Sequence, residues 1–190
     1  MARIARRPGT YEDLRALPEH LVGELVNGEL IVSPRPSGRH TRAVTILGDD
    51  VGGPFDHRPP GPGGWWLLPE MELHLGRDVL IPDMSGWRRE RVPRCPTGPF
   101  VELAPDWVCE VLSPSTTVVD RKLKMPEYAA AGVPHLWLVD PIARTLEVFQ
   151  REGERWTLLG TFSDADRARA VPFDAIELDL ARLWLPGDDE

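Results

Sequence analysis

Over residues 21–33, LVGELVNGELIVS, two apolar runs flank the pair Asn27-Gly28, which readily takes the positive φ angles of a tight turn. The pattern predicts an antiparallel hairpin with strands at about 21–26 and 29–33. Ahead of it, TYEDLRALPEH opens with Thr10 followed three positions on by Asp13, a capping-box spacing, so a short helix is expected over 10–20. Behind it, His40, Val44, Leu47 and Val51 recur at helical spacing on one face of residues 39–51, before the breaking sequence Gly52-Gly53-Pro54. Residues 52–64, rich in Gly and Pro, read as a long loop. WWLLPEMELHL and DVLIPDMSGW, separated by Gly76-Arg77, read as a second antiparallel strand pair, followed by a loop over about 86–104.

DWVCEVL, residues 106–112, is short, valine-rich and almost wholly apolar, as a strand buried on both faces would be. Glu110 interrupts it. Thr117 to Gly132 reads as helical, with Thr117 and Asp120 at capping-box spacing and Gly132 as a stop. Pro126 either kinks this element or restarts it. HLWLVD (135–140) is another buried strand, and TLEVFQ with RWTLLGTF forms a hairpin around Glu152-Gly153-Glu154. The order of elements indicates an α/β or α+β protein: a mixed central sheet flanked by helices, with an N-terminal and a C-terminal hairpin. At 190 residues the expectation is a single domain over 1–190 with its core at about 10–160. The tail 163–190 reads as an acidic extension carrying one more short helix that ends at LWLP.

Composition narrows the function. Hydrophobic residues at 42% and charged residues at 27% exclude disorder and fibrous architectures. No run approaches the roughly 18 apolar residues of a membrane span, and no apolar stretch follows the Arg-bearing start, so a cytoplasmic protein without membrane contact is expected. Cys95 and Cys109 form neither a disulfide framework nor a zinc quartet, and Cys109 reads as a core residue. Twenty prolines, about twice the usual ~5% share, rule out a long helical bundle. A net charge of −8 excludes coating nucleic acid by bulk electrostatics, but not a site where a metal ion bridges an acidic pocket to phosphate.

An ionised Glu110 in a buried strand costs several kcal/mol, on the order of the price of any unpaired interior charge, unless a partner relieves it. Asp83 closes the preceding strand in LIPDM. If the two strands are adjacent and antiparallel, both carboxylates converge at one sheet end and a hard divalent ion, Mg²⁺ or Mn²⁺, would relieve their repulsion. Otherwise Asp83 caps a turn and Glu110 pairs with an arginine. Lys122 and Lys124 point to nearly opposite sides of a helix, and Lys124 shares a face with Asp120 and Tyr128, four residues to either side. Glu24 is a third acid if its hairpin reaches the same sheet end, and a surface residue if not. His40 is either a satisfied core histidine or a functional one. Glu70, Glu72 and His74 read as one solvated or partner-facing strand face. The Ser113-Pro114-Ser115-Thr116 loop lacks a GxSxG turn, which argues against a nucleophilic serine, and like Arg88, Arg89, Arg91 and Arg94 it is a candidate phosphate contact.

Taken together, GELVNGEL, the helix opening with His40, IPDM, and DWVCEVLSPST followed by DRKLKMPEYAAAGVPHLWLVDP resemble the Uma-type restriction endonucleases, a bacterial branch of the PD-(D/E)xK nuclease superfamily. The likeness spans roughly residues 10–160 and rests on the order of EVLSPST, Asp120, Lys124, Tyr128, Gly132-Val133 and a tryptophan-bearing strand ending in Asp-Pro. It implies a restriction-endonuclease-like fold and Mg²⁺-dependent (or Mn²⁺-dependent) cleavage of DNA. By the same likeness Asp83 and Glu110 match the metal-liganding acids and Glu24 the N-terminal acid. Leu112 stands where the superfamily carries its lysine, two positions after the acid, and Lys124 on the following helix takes that role. The rival expectation is a non-catalytic domain of the same fold that binds nucleic acid or a protein. Two-strand cleavage would favour a homodimer, for which the seven tryptophans offer aromatic surface.

Overall fold

Asn27 and Gly28 take φ values of 55° and 78°, closing a two-residue turn between β2 (Leu21–Val26) and β3 (Glu29–Pro34) in the computed structural model, which describes residues 5–58 and 60–185. β1 (Ala5–Pro8), which the hydrophobic pattern does not reveal, adds to the far side of β3, and α1 (Tyr11–Arg15) follows it. Thr10 caps α1 through the expected box: its side chain accepts from the Asp13 N–H, and the Asp13 carboxylate accepts from the Thr10 N–H at 2.9 Å. Thr10→Ala is expected to lower stability by about 1 kcal/mol. A urea titration with no shift in midpoint would show that the box is idle.

α2 (Gly38–Gly52) runs one residue beyond its expected end, and a π-helical turn, Gly53–His57, structures the start of what reads as loop. The next segment departs most from the sequence reading. Instead of one long strand pair there are four short strands, β4 (Trp65–Pro69), β5 (Leu73–Leu75), β6 (Asp78–Leu80) and β7 (Met84–Arg88). Glu70 at φ 47° breaks the first run, and Pro82, unable to donate to a ladder, interrupts the second. As a result β5 and β6 join one sheet, of order β1-β3-β2-β6-β5, while β4 and β7 join another.

That other sheet has six strands and forms the centre of the molecule. β8 (Trp107–Val111) pairs antiparallel with β7 and parallel with β9 (His135–Asp140). Between β8 and β9 the chain crosses over through α3 (Thr117–Val119), a π-helical turn at Asp120–Lys124, and α4 (Met125–Ala130). β10 (Thr145–Glu152) and β11 (Arg155–Ser163) complete the order β11-β10-β9-β8-β7-β4. The fold is thus α+β, a mixed central sheet flanked by helices.

Alternate residues of β8 enter two different cores, as the two-residue period of a strand requires. Trp107, Cys109 and Val111 pack with Ala43, Leu47 and Val51 of α2, while Val108 and Leu112 pack with Tyr128 and with Leu73 and Leu80 of the five-stranded sheet. Glu110 lies on the second face.

The tail read as an acidic extension also enters the core. β12 (Arg167–Ala168) and β13 (Leu178–Asp179) form a small sheet, and a 3-10 turn follows at Leu180–Arg182. Phe173 lies between, fully buried, with ring centroids of Phe55, Trp65, Trp107 and Trp137 at 4.8, 4.8, 4.9 and 5.6 Å. Trp137 and Trp184 donate their indole N–H groups to Val171 and Asp164 carbonyls, each at 2.7 Å. The expected helix ending reaches Pro186, which lies outside the described residues. Five of the seven tryptophans are buried and two, Trp66 and Trp156, half-buried, so little of the aromatic surface read as permitting a homodimer is exposed. No helix among the described residues is long and apolar enough to cross a membrane.

Candidate active site

In the antiparallel register of β7 and β8, Met84 faces Cys109, and continuing it by one step sets Asp83 opposite Glu110. Both residues line one cavity, at the point where the chain passes from one sheet to the other. Asp83 Oδ2 accepts from the Val111 backbone N–H at 2.6 Å, and Oδ1 lies 2.7 Å from His40 Nε2. Glu110 is paired with Lys124, at 2.7 Å, where the alternative expected an arginine.

Lys124 delivers the cation. Its Nζ lies 2.7 Å from Glu110 Oε1, 2.8 Å from Glu24 Oε1 and 3.7 Å from Asp120 Oδ1, and the residue is 3% exposed. Lys122 points to solvent. The local backbone explains the aim: the Met125 N–H bonds the Asp120 carbonyl in a widened π turn, and Pro126 has no N–H to lose from a regular helix there. Glu24 reaches in from β2, where its carboxylate also accepts from the Ile81 N–H at 2.8 Å. The Tyr128 hydroxyl, four residues after Lys124, donates to Glu110 Oε1 at 2.6 Å.

Sequence reading set Asp120, Lys124 and Tyr128 on one face but assigned Asp120 to a helix cap. That cap is absent: α3 has no side-chain capping bond, and Asp120 is instead 4% exposed beside Lys124. Spacing by fours was the available signal. Four carboxylates (Glu24, Asp83, Glu110, Asp120) share this region with one lysine and one histidine. Burial pushes the Glu110 carboxyl well up, with Asp120, Asp83 and Glu24 adding and Lys124 opposing. Burial likewise raises Asp120 to about 6. For Lys124, burial works downward and is outweighed by Glu110 and Glu24, which hold its ammonium charged well above the usual range.

All of these side chains except Tyr128 line a cavity of about 740 Å³. The 33–37 segment and the Ser113–Thr116 loop form much of the rest of its wall. In that loop Ser113 Oγ lies 3.0 Å from both Ser115 Oγ and Thr116 Oγ1, so the hydroxyls brace one another. Three candidate phosphate arginines serve the fold instead: Arg88 stacks on Trp65, while Arg89 and Arg91 pair with Asp56 and Asp106 at 2.6 and 2.9 Å. Glu72 is bound by Tyr11 and His74, at 2.8 and 2.7 Å, rather than left to solvent. Glu70 lines the cavity.

A mixed sheet with a helical crossover, acids converging from neighbouring strands, and a buried lysine among them define a domain of the restriction-endonuclease-like fold. The chain belongs to the Uma2 family, described as "Putative restriction endonuclease", which matches residues 10–181. Among solved structures it is similar to a "putative nuclease belonging to DUF820" from Anabaena variabilis ATCC 29413, at a TM-score of 0.73 and 23% identity over 93% of this chain and 97% of that one. That likeness bears on the fold. None of the curated proteins matches the chain.

Proposed function

We propose that the protein is a metal-dependent endonuclease that hydrolyses DNA phosphodiester bonds, with Asp83 and Glu110 as ligands of Mg²⁺ or Mn²⁺ and Glu24 and Lys124 completing the catalytic set. The observation that carries this reading is the Lys124 ammonium held against Glu24 and Glu110 in a cavity that Asp83 also lines. Among the described residues no three His, Cys, Asp or Glu side chains form a ready-made metal cage. Mg²⁺ does not need one, since it commonly takes one or two carboxylates and fills its remaining positions with water and substrate phosphate. The donor chemistry fits: all four acids are hard oxygen donors, and together they outnumber the nearby cations.

A divalent ion bound here supplies polarisation of the phosphate and acidification of water. The chain's own residues do the rest. Asp83 and Glu110 would hold the ion, and Val111, which lines the same cavity, would offer its backbone carbonyl as a further oxygen donor. Lys124 stays protonated, so its role is to hold a water or phosphate oxygen by charge and hydrogen bond rather than to remove a proton. The Tyr128 hydroxyl restrains Glu110. Because Arg89 and Arg91 are committed elsewhere, attraction for the phosphate is local to the cavity, where the Ser113–Thr116 amides and hydroxyls lie.

Wild type is expected to nick supercoiled plasmid with Mg²⁺ and to stop on chelation, and Asp83→Asn is expected to fall to background. Linear product in place of nicked circles would report two sites acting together, hence a homodimer. A wild type that neither nicks nor binds Mn²⁺ in a calorimetric titration would overturn the nuclease reading and leave a non-catalytic binding domain of this fold.

A further inference from the structure

Of the five acids that line the cavity, three lean on Lys124, and Glu70 and Asp83 do not. Glu110, Glu24 and Asp120 surround the ammonium, whereas Asp83 is held by His40 Nε2 at 2.7 Å and by the Val111 N–H at 2.6 Å, one contact on each oxygen. Asp83 sits on the stretch between β6 and β7 where the chain changes sheets, and directly after Pro82. Its carbonyl accepts from the Glu70 N–H at 3.2 Å, which holds the backbone, and the side chain is oriented by these two bonds.

His40 is well placed to give one of them. It lies in the first turn of α2, where Ser37 caps the helix by accepting from the His40 N–H at 3.4 Å, and it is itself buried. Ala43, Leu47 and Val51 then anchor the helix in the core beneath β8, so the imidazole is mounted on a rigid element. A nitrogen and an oxygen 2.7 Å apart must share a proton, and the carboxyl is the stronger acid, so Nε2 carries the hydrogen. A nitrogen so occupied cannot ligate a metal. Each carboxylate oxygen, by contrast, keeps a second lone-pair site after accepting one bond.

We propose that His40 is a positioning residue: it fixes the Asp83 carboxylate, keeps it out of the Lys124 cluster, and so reserves it for the divalent ion. The proposal rests on the nuclease reading above for the existence of that ion site. Groups that orient metal ligands from behind typically change metal affinity by about 10–100-fold when removed.

The test is calorimetric titration of Mn²⁺ into wild type, His40→Leu, His40→Gln, His40→Asn, Asp83→Asn and the His40→Leu/Asp83→Asn double variant, with thermal midpoints recorded for each. His40→Leu is expected to weaken binding by about 10–100-fold. His40→Gln, whose amide nitrogen reaches the Nε2 position, should stay within a few-fold of wild type, and the shorter His40→Asn should not. If His40→Leu fails to fold, the Gln and Asn pair carries the same comparison. In the double variant the leucine should add nothing to the loss caused by Asp83→Asn, because its only route to the ion has gone. Equal Mn²⁺ affinity in His40→Leu and wild type would overturn the proposal. So would equal loss in Gln and Leu, or full additivity in the double variant, since each would mean that His40 acts independently of Asp83. Absence of binding in the wild type would instead bring down the underlying nuclease reading, and this inference with it.

Discussion

Lys124→Met is expected to lower stability by about 3–5 kcal/mol, the cost of leaving buried charge without its partner, and to slow DNA cleavage by about 10²–10³-fold. The size follows from the cage: methionine fills the volume but leaves Glu24, Glu110 and Asp120 facing one another with no ammonium among them. The loss should depend on pH in a definite direction. Asp120 already has its folded value raised to about 6, above the ordinary 3.8, and Glu110 is raised as well. Acids of this kind bind protons in the folded chain that the unfolded chain has released, so stability is greatest below the unfolded value and falls as pH rises through the folded one. Without the lysine both carboxyls should rise further. The deficit of the variant is therefore expected to shrink toward pH 4 and to widen above about pH 6. Urea unfolding of both proteins across that range measures it. A variant as stable as wild type at neutral pH would mean that the cage carries no net charge strain.

Phe173→Ala is expected to cost about 3–5 kcal/mol, a large fraction of the roughly 5–15 kcal/mol that holds a domain together. The ring is wholly buried and touches Phe55, Trp65, Trp107 and Trp137, which belong to elements far apart in the chain. Differential scanning calorimetry should show a lowered midpoint. Mn²⁺ affinity measured well below that midpoint should be unchanged, which separates the effect from that of Lys124→Met. A cost under about 1 kcal/mol would show that residues 168–184 dock loosely and that the site face alone holds the central sheet.

Much of this arrangement is legible in the residues. Asn27-Gly28, the periodic face from His40 to Val51, and the two apolar strands around Glu110 and Trp137 each carry a local signal strong enough to survive tertiary packing. Glu110 stands out because a charge inside such a strand demands an explanation, and the explanation leads to Asp83 and Lys124. What the residues hide is partnership. Period-two alternation shows that 65–75 and 78–87 are extended but not that Glu70 and Pro82 divide them between two sheets. A stretch with as many charges as 163–190 looks solvated, although its few apolar members, Phe173 above all, are placed to plug a core built by others. Arginines 89 and 91 look free until Asp56 and Asp106 arrive from elsewhere in the chain. Asp120 has both the spacing of a cap and the four-residue spacing to Lys124, and the fold keeps only the second.

The acids come from separate layers, Glu24 from the five-stranded sheet and Glu110 from the six-stranded one, and the layers meet where Leu73 and Leu80 pack against Val108 and Leu112. Separating the two sheets would draw Glu24 away from the ammonium that Glu110 also holds, so the site and the packing between the sheets stand or fall together.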